Sequence, residues 1–249
     1  MSETALIVGD THGNLRWWHR VVIPTALAHG VDSIYQVGDF GYWEHTVDGV
    51  QYLNRLSALL HAEGLGVQWL DGNHENHQWL RKLYVKPDHR AVKIRDAIVY
   101  LPRGCRWMDG GVRFLACGGA YSVDKAYRIP GESWWPEEMI TDHEVRRCRA
   151  AGRAEVLLCH DAPDGFEVQA PHKVCWDPPT IANRQQLLRV FNSAKPKVVF
   201  HGHWHLYQLN HLGDVPVYGL AHDTGDTPAM ALLRLPSLEV EVLPRQALP

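Results

Sequence analysis

Metal-competent side chains follow five separate apolar runs. Asp10 and His12 close "LIVGDTH", Asp39 closes "IYQVGD", Asn73 and His74 close "VQWLDGNH", His160 closes "EVLLCH", and His203 and His205 close "VVFHGHWH". Carboxylates, one amide oxygen and several imidazoles, with no thiolate, suit a hard-to-borderline divalent ion such as Mn, Fe or Zn. Eight such groups exceed what one ion needs. A binuclear site bridged by a shared carboxylate, with ions roughly 3.5–4 Å apart, is the natural solution. Glycines precede Asp10, Asp39, Asn73 and His203, where they let the backbone turn sharply and come close to a ligand.

Elements of two periodicities must carry these residues. Ala5–Val8, Ser33–Val37, Gly66–Leu70, Val156–Leu158 and Lys197–Phe200 read as buried strands. Helices are predicted over Leu15–His29, Val50–Ala62, just after Asn76, over Pro136–Ala151 and over Asn183–Asn192. Such alternation implies parallel pairing with right-handed crossovers, and in open α/β sheets ligands bind at the C-terminal ends of the strands. Residues Ala97–Ala120 look like antiparallel hairpin strands, and the tail Tyr207–Leu243 like meandering strands. With no linker, repeat or low-complexity tract, residues 1–249 read as one domain of two packed sheets.

Composition excludes several classes. The 25 basic and 28 acidic side chains give a net charge of −3 with no block of like charge, so no groove for long nucleic acid is evident. The five cysteines are odd in number and scattered, with no Cys-x-x-Cys pair, which argues against a disulfide framework or a zinc knuckle and for a reducing cytoplasm. No segment approaches the ~18 apolar residues of a membrane span, and the N-terminus does not read as a signal peptide. The 16 histidines and 10 tryptophans are the compositional excess.

The set Asp10-x-His12, Gly38-Asp39, Gly72-Asn73-His74-Glu75, His160 and Gly202-His203-x-His205 resembles, in order and spacing, the calcineurin-like metallophosphoesterase family. The resemblance implies an α/β fold, a four-layer αββα sandwich of two mixed β-sheets flanked by helices. It implies two divalent metal ions, Mn favoured: one among Asp10, His12, Asp39 and His205, the other among Asp39, Asn73, His160 and His203. Asp39 would bridge them, and a hydroxide between the ions would attack phosphorus in line. His74 would be the non-ligand catalytic imidazole facing the substrate. Glu75 is expected to cap the following helix, where an acidic side chain favours the positive helix end.

Other candidates have weaker support. His201 is expected in the core or at the surface, and His45, His77, His172 and His222 in loops. Trp17, Trp18, Trp43, Trp134, Trp135 and Trp204 are either core residues or stacking platforms for bases; Trp43 and Trp204, beside the ligand motifs, are the tentative substrate contacts. Phosphoprotein phosphatases of the superfamily carry an arginine clamp soon after the bridging Asp, whereas this chain reads "GDFGYWEH" there. Lys125 or Arg128, in the stretch Tyr121–Glu138, could supply a cation to a phosphate instead. The expected activity is therefore hydrolysis of nucleotide phosphodiesters, cyclic ones among them. A phosphomonoesterase acting on phosphoprotein or small metabolites is the alternative, and a non-catalytic scaffold the third reading.

Overall fold

The computed structural model describes residues 3–31, 33–83, 90–150, 152–170 and 177–245. Three parallel neighbours, β1 (Thr4–Val8), β2 (Ser33–Gln36) and β3 (Gly66–Trp69), form the centre of a seven-stranded sheet. It is extended on one side by β5 (Ile98–Tyr100) and β4 (Val92–Arg95), and on the other by β12 (Met230–Arg234) and β13 (Val240–Val242). A six-stranded sheet has the order β10 (Gln208–Leu212), β11 (Val215–Gly219), β9 (Val198–His201), β8 (Val156–Cys159), β7 (Val112–Cys117), β6 (Arg106–Asp109).

Side-chain alternation builds four layers from these sheets. On β1, Leu6 and Val8 pack outward against Trp17, Trp18, Val21, Leu53 and Leu56 of the helical layer. Ala5 and Ile7 point the other way, onto Phe114, Ala116, Leu158 and Phe200 of the facing sheet. Leu115, Cys117, Leu157 and Val199 point outward again, onto Val145, Leu187 and Val190. Strands covered on both faces read as continuous apolar runs rather than alternating ones, which is why they stand out in the sequence. The αββα sandwich and its two mixed sheets are as expected.

The helices differ from expectation at their ends. The first comprises α1 (Leu15–Trp17), a π-helical turn over Trp18–Val22 and α2 (Ile23–Ala28). Pro24 lacks an N–H and its ring crowds the preceding turn, so the widened turn just before it relieves that clash. α3 (Val47–Ala62) starts three residues before the predicted start, because Thr46 accepts from Gly49 N at 3.0 Å as its N-cap. α4 spans His77–Leu83. The predicted helix 136–151 is instead a 3₁₀ turn, Pro136–Glu138, followed by α5 (Asp142–Ala150). Thr141 and Glu144 form a capping box there, Glu144 N to Thr141 Oγ1 at 3.3 Å and Thr141 N to Glu144 Oε2 at 2.8 Å. α6 (Pro178–Ala194) begins at the Asp177 N-cap, five residues earlier than predicted.

Two predicted antiparallel regions divide between the sheets. β5 lies parallel to β3, whereas β6 and β7 form a hairpin in the other sheet through Gly110 and Gly111, both at positive φ. The chain crosses at Leu101–Cys105, where Pro102 and Gly104 interrupt the strand pattern. β10 and β11 likewise stay in the six-stranded sheet while β12 and β13 join the other, so residues 220–229 also cross.

A buried ion pair ties the first crossing to the end of β3. Arg103, 1% exposed, donates from Nε to Asp71 Oδ2 at 2.8 Å, and Tyr100 Oη donates to Asp71 Oδ1 at 2.9 Å. Arg103 also donates to the carbonyl oxygens of Glu137, Glu138 and Met139. Removing one member of such a pair abandons a buried charge. Arg103→Ala is expected to lower unfolding free energy by about 3–5 kcal/mol, measured by urea denaturation; a loss below about 1 kcal/mol, the exposed-pair range, would contradict this role.

Candidate metal centre

All five strands that carry candidate ligands run parallel to their candidate-bearing neighbours within their own sheets, so each set of C-terminal ends reaches one edge. Cross-sheet hydrogen bonds fasten the two edges together: His203 N to Asp10 Oδ2 at 3.0 Å, and His160 Nδ1 to Val37 O at 2.8 Å. The backbone is strained where the side chains turn inward. His12 (φ 43°), Asp39 (φ 54°), His203 (φ 67°) and His205 (φ 57°) are left-handed, four of the six such non-glycine residues among those described. This conformation costs of order 1–3 kcal/mol per residue and persists where its surroundings demand it. The glycines serve close approach: a Cβ on Gly202 would lie 1.9 Å from Asp10 Oδ1, and one on Gly72 2.1 Å from Asp39 Oδ1.

Asp10, His12, Asp39 and His205 each offer a ligand atom within 4.8 Å of the others. His205 Nε2 is 3.3 Å from Asp10 Oδ2, and His12 Nε2 is 3.5 Å from Asp39 Oδ2. On the other side of Asp39, His160 Nε2 lies 3.5 Å from Asp39 Oδ1 and 3.1 Å from Asn73 Oδ1. The His203 ring sits 5.1 Å from that of His160.

Two observations show that the donors fit metal ions. Asp39 Oδ2 is buried yet meets no described donor at hydrogen-bonding geometry, an orphan that ordinary folding avoids. Val37 O can only accept, so His160 carries its proton on Nδ1 and, when neutral, aims the Nε2 lone pair at two oxygen acceptors. Converging lone pairs require a cation among them. Without a metal, protons take that place. Burial alone would lower His12 and His160, but the carboxylates of Asp223, Asp39 and Asp10 push His12 up to about 11, and those of Asp39 and Asp10 push His160 up to about 10. Burial would raise Asp39, yet His160, His74 and His12 hold it well below the usual carboxylate range.

His74 stands apart from the ligand cluster. Its side chain is 36% exposed, Nε2 is 3.9 Å from Asp39 Oδ2, and the Arg128 guanidinium lies against the ring at 3.0 Å from Nδ1. Arg128 is also paired with Asp124 at 2.8 Å. Trp43 is half-buried at the same rim and donates from Nε1 to His74 O at 2.8 Å. Lys125 is exposed, its Nζ 4.1 Å above the Trp134 ring.

Several expectations are corrected. Trp204 is 4% exposed, packed with Ala162 and Val168 and donating to Asp161 Oδ1 at 3.1 Å, so its ring has no open face for a base. Trp17, Trp18 and Trp135 are core residues, the first of the two readings expected for them. Glu75 does not cap a helix. It is fully buried and accepts from Gly41 N at 3.0 Å and Gly72 N at 2.6 Å, clamping two loops that carry candidate ligands, while Asn76 caps α4 through Trp79 N at 3.1 Å. Burial and the nearby Asp39 raise Glu75 to about 7. His77 is not in a loop but opens α4, buried against Gly72 O at 3.0 Å. His201 lies in the core, within what was expected of it, and His172 lies outside the described residues.

Asp223 was not singled out by its spacing, because it lies on the β11–β12 crossing rather than at a strand end. Asn14 Nδ2 donates to its Oδ2 at 2.6 Å, and its Oδ1 is 3.4 Å from His12 Nδ1. A carboxylate behind an imidazole, the candidate ligand His12 here, fixes the ring's orientation. The only sequence signal is a short polar stretch, "HDTGD", between apolar runs.

A model of the calcineurin-like phosphoesterase family matches residues 4–207. Among solved structures, a dimetal phosphatase from Danio rerio is similar at 15% identity and TM-score 0.56, over 93% of this chain and 92% of that one. A Staphylococcus aureus chain provisionally named a 5′-nucleotidase is similar at 14% identity and TM-score 0.53, over 98% of this chain but 55% of that one. No match is found among curated proteins. At such identities the structural likeness speaks for the fold, and the family match, which covers most of the chain, carries the assignment: this chain belongs to the calcineurin-like phosphoesterase family.

Proposed function

We propose that the chain is a two-metal phosphodiesterase acting on nucleotide phosphodiesters, cyclic ones among them. The observation that carries the choice of diester is charge. Arg128, the cation that touches His74, is already neutralised by Asp124 at 2.8 Å, so the rim offers little net positive charge beyond the metal ions. A diester brings one negative charge, a monoester up to two. The weaker clamp suits the former.

Asp10, His12, Asp39 and His205 would hold one ion, and Asp39, Asn73, His160 and His203 the other. When bound, divalent ions, with Mn favoured here, supply Lewis acidity and make water acidic enough to act as a nucleophile near neutral pH. Arg128 orients a phosphoryl oxygen, and His74, half-exposed beside it, donates to an oxygen on which charge grows as the bond breaks. Trp43 offers an aromatic face at the same rim. No described helix is long and apolar enough to cross a membrane. The four described cysteines are free and buried, which supports placing the chain in a reducing cytoplasm.

The test is a panel assay with Mn²⁺. Bis-aryl phosphates and cyclic nucleotides are expected to exceed mono-aryl phosphates in kcat/KM by at least about tenfold, a difference of about 1.4 kcal/mol in transition-state binding. Preference for monoesters would overturn the choice of diester. In the same assay Trp43→Ala should raise KM for nucleotide diesters roughly 5- to 140-fold, the worth of one stacked base, while sparing a small aryl diester. Equal effects on both substrates would assign Trp43 to packing.

A further inference from the structure

Ser122 and Glu138 lie outside the ligand motifs, one at each end of the excursion 123–137 that carries Arg128. Asn73 reaches the first of them, Nδ2 lying 3.2 Å from Ser122 Oγ. Ser122 in turn grips Glu138 twice, backbone N to Oε1 at 2.7 Å and Oγ to Oε2 at 2.6 Å. Asn73 is 3% exposed and the other two are fully buried, so water does not compete for these bonds.

The polarity of this chain follows from its donors. A carboxylate only accepts, and a serine hydroxyl has one hydrogen, which goes to Glu138. Ser122 Oγ therefore offers Asn73 a lone pair, and the amide must answer with its N–H. The amide oxygen then faces the other way, toward His160 Nε2 at 3.1 Å and the metal centre. An amide turned by half a rotation would present N–H₂ to a cation, which cannot coordinate through it.

We propose that Glu138 and Ser122 are positioning residues that act through Asn73, holding its amide oxygen toward the metal ions. This rests on the two-ion reading above. The relay is anchored at the strand it serves: Arg103 binds the carbonyls of Glu137, Glu138 and Met139 and also Asp71, two residues before Asn73. Asn73, Ser122, Glu138, Arg103 and Asp71 thus close a ring. Because the Ser122–Glu138 contact also closes the neck of the excursion that carries Arg128, Asn73 and the guanidinium lying against His74 share one support.

The test is Mn²⁺ titration of the full chain, with binding of each ion resolved by calorimetry and the stoichiometry by elemental analysis. Ser122→Ala should weaken one of two Mn²⁺ ions by roughly 10- to 100-fold and spare the other. Ser122→Thr, which keeps the hydroxyl, should restore it. In an Asn73→Ala background the Ser122→Ala change should have no further effect, since Ser122 acts only through that amide. Glu138→Gln, nearly isosteric, must reverse one of the two bonds and should show the same selective loss even if Ser122→Ala does not fold. Unchanged affinity for both ions in Ser122→Ala or Glu138→Gln, or an additive loss on top of Asn73→Ala, would overturn the relay. A wild-type chain that binds no Mn²⁺ would instead overturn the two-ion reading beneath it.

Discussion

Asp39→Ala is expected to lose both metal ions, and kcat/KM for any phosphoester should fall by at least about 10³-fold, since bound ions contribute several kcal/mol of transition-state charge stabilisation. Asp39 lies between the two donor groups. Its Oδ2 faces His12 at 3.5 Å and its Oδ1 faces His160 at 3.5 Å, while His74 N donates to Oδ1 at 2.8 Å. As metal ligands the imidazoles and the Asn73 amide on either side are neutral, and Asp10 is the other carboxylate, assigned to one ion. Loss of Asp39 therefore removes the shared negative charge on which both depend. Elemental analysis of the purified variant reads occupancy directly. Full Mn²⁺-dependent turnover in Asp39→Ala would rule out the bridge, and retention of one ion at wild-type affinity would confine Asp39 to a single ion.

His74→Ala should behave differently, with kcat lower by roughly 10²–10⁴-fold and metal content near wild type. His74 follows Asn73 directly, but where Asn73 is buried and turned inward, His74 is 36% exposed and meets Arg128 at the cleft side. A group there contributes where charge develops in the transition state, which lowers kcat rather than substrate affinity when it is removed. The deficit should shrink for esters with very good leaving groups, whose departing oxygen needs little stabilisation. Loss of metal in the variant, or an unchanged kcat on a poor leaving group, would remove His74 from this role.

The ligand strands were legible because the fold buries them on both faces. Apolar runs such as Leu6–Val8 and Val198–Phe200, each followed by a glycine-rich polar turn, mark strand ends whatever the rest of the chain does. Groups acting at one remove carried no such mark. Ser122 and Glu138 are separated by 16 positions and meet only because the excursion between them closes on itself. Asp223 reaches His12 across 211 positions, on a crossing between sheets that local pattern cannot show. Glu75 misled because its position suits a helix cap, but the two backbone N–H groups it binds, from Gly41 and Gly72, come from loops and not from the helix. Trp204 sits between two candidate ligands in sequence, yet Asp161 takes its indole N–H and the ring turns into the core. The sheet crossings at Leu101–Cys105 and 220–229 were missed for a related reason. Hydrophobic period reports burial and says little about which of two sheets a strand joins.

Anomalous diffraction from crystals grown with Mn²⁺ tests the two-ion centre most directly, because it locates the ions without reference to activity. A centre of this kind gives two peaks roughly 3.5–4 Å apart on either side of the Asp39 carboxylate, one bordered by Asp10, His12 and His205, the other by Asn73, His160 and His203. No peak at Asp39, or two peaks of which neither touches it, would contradict the centre described here.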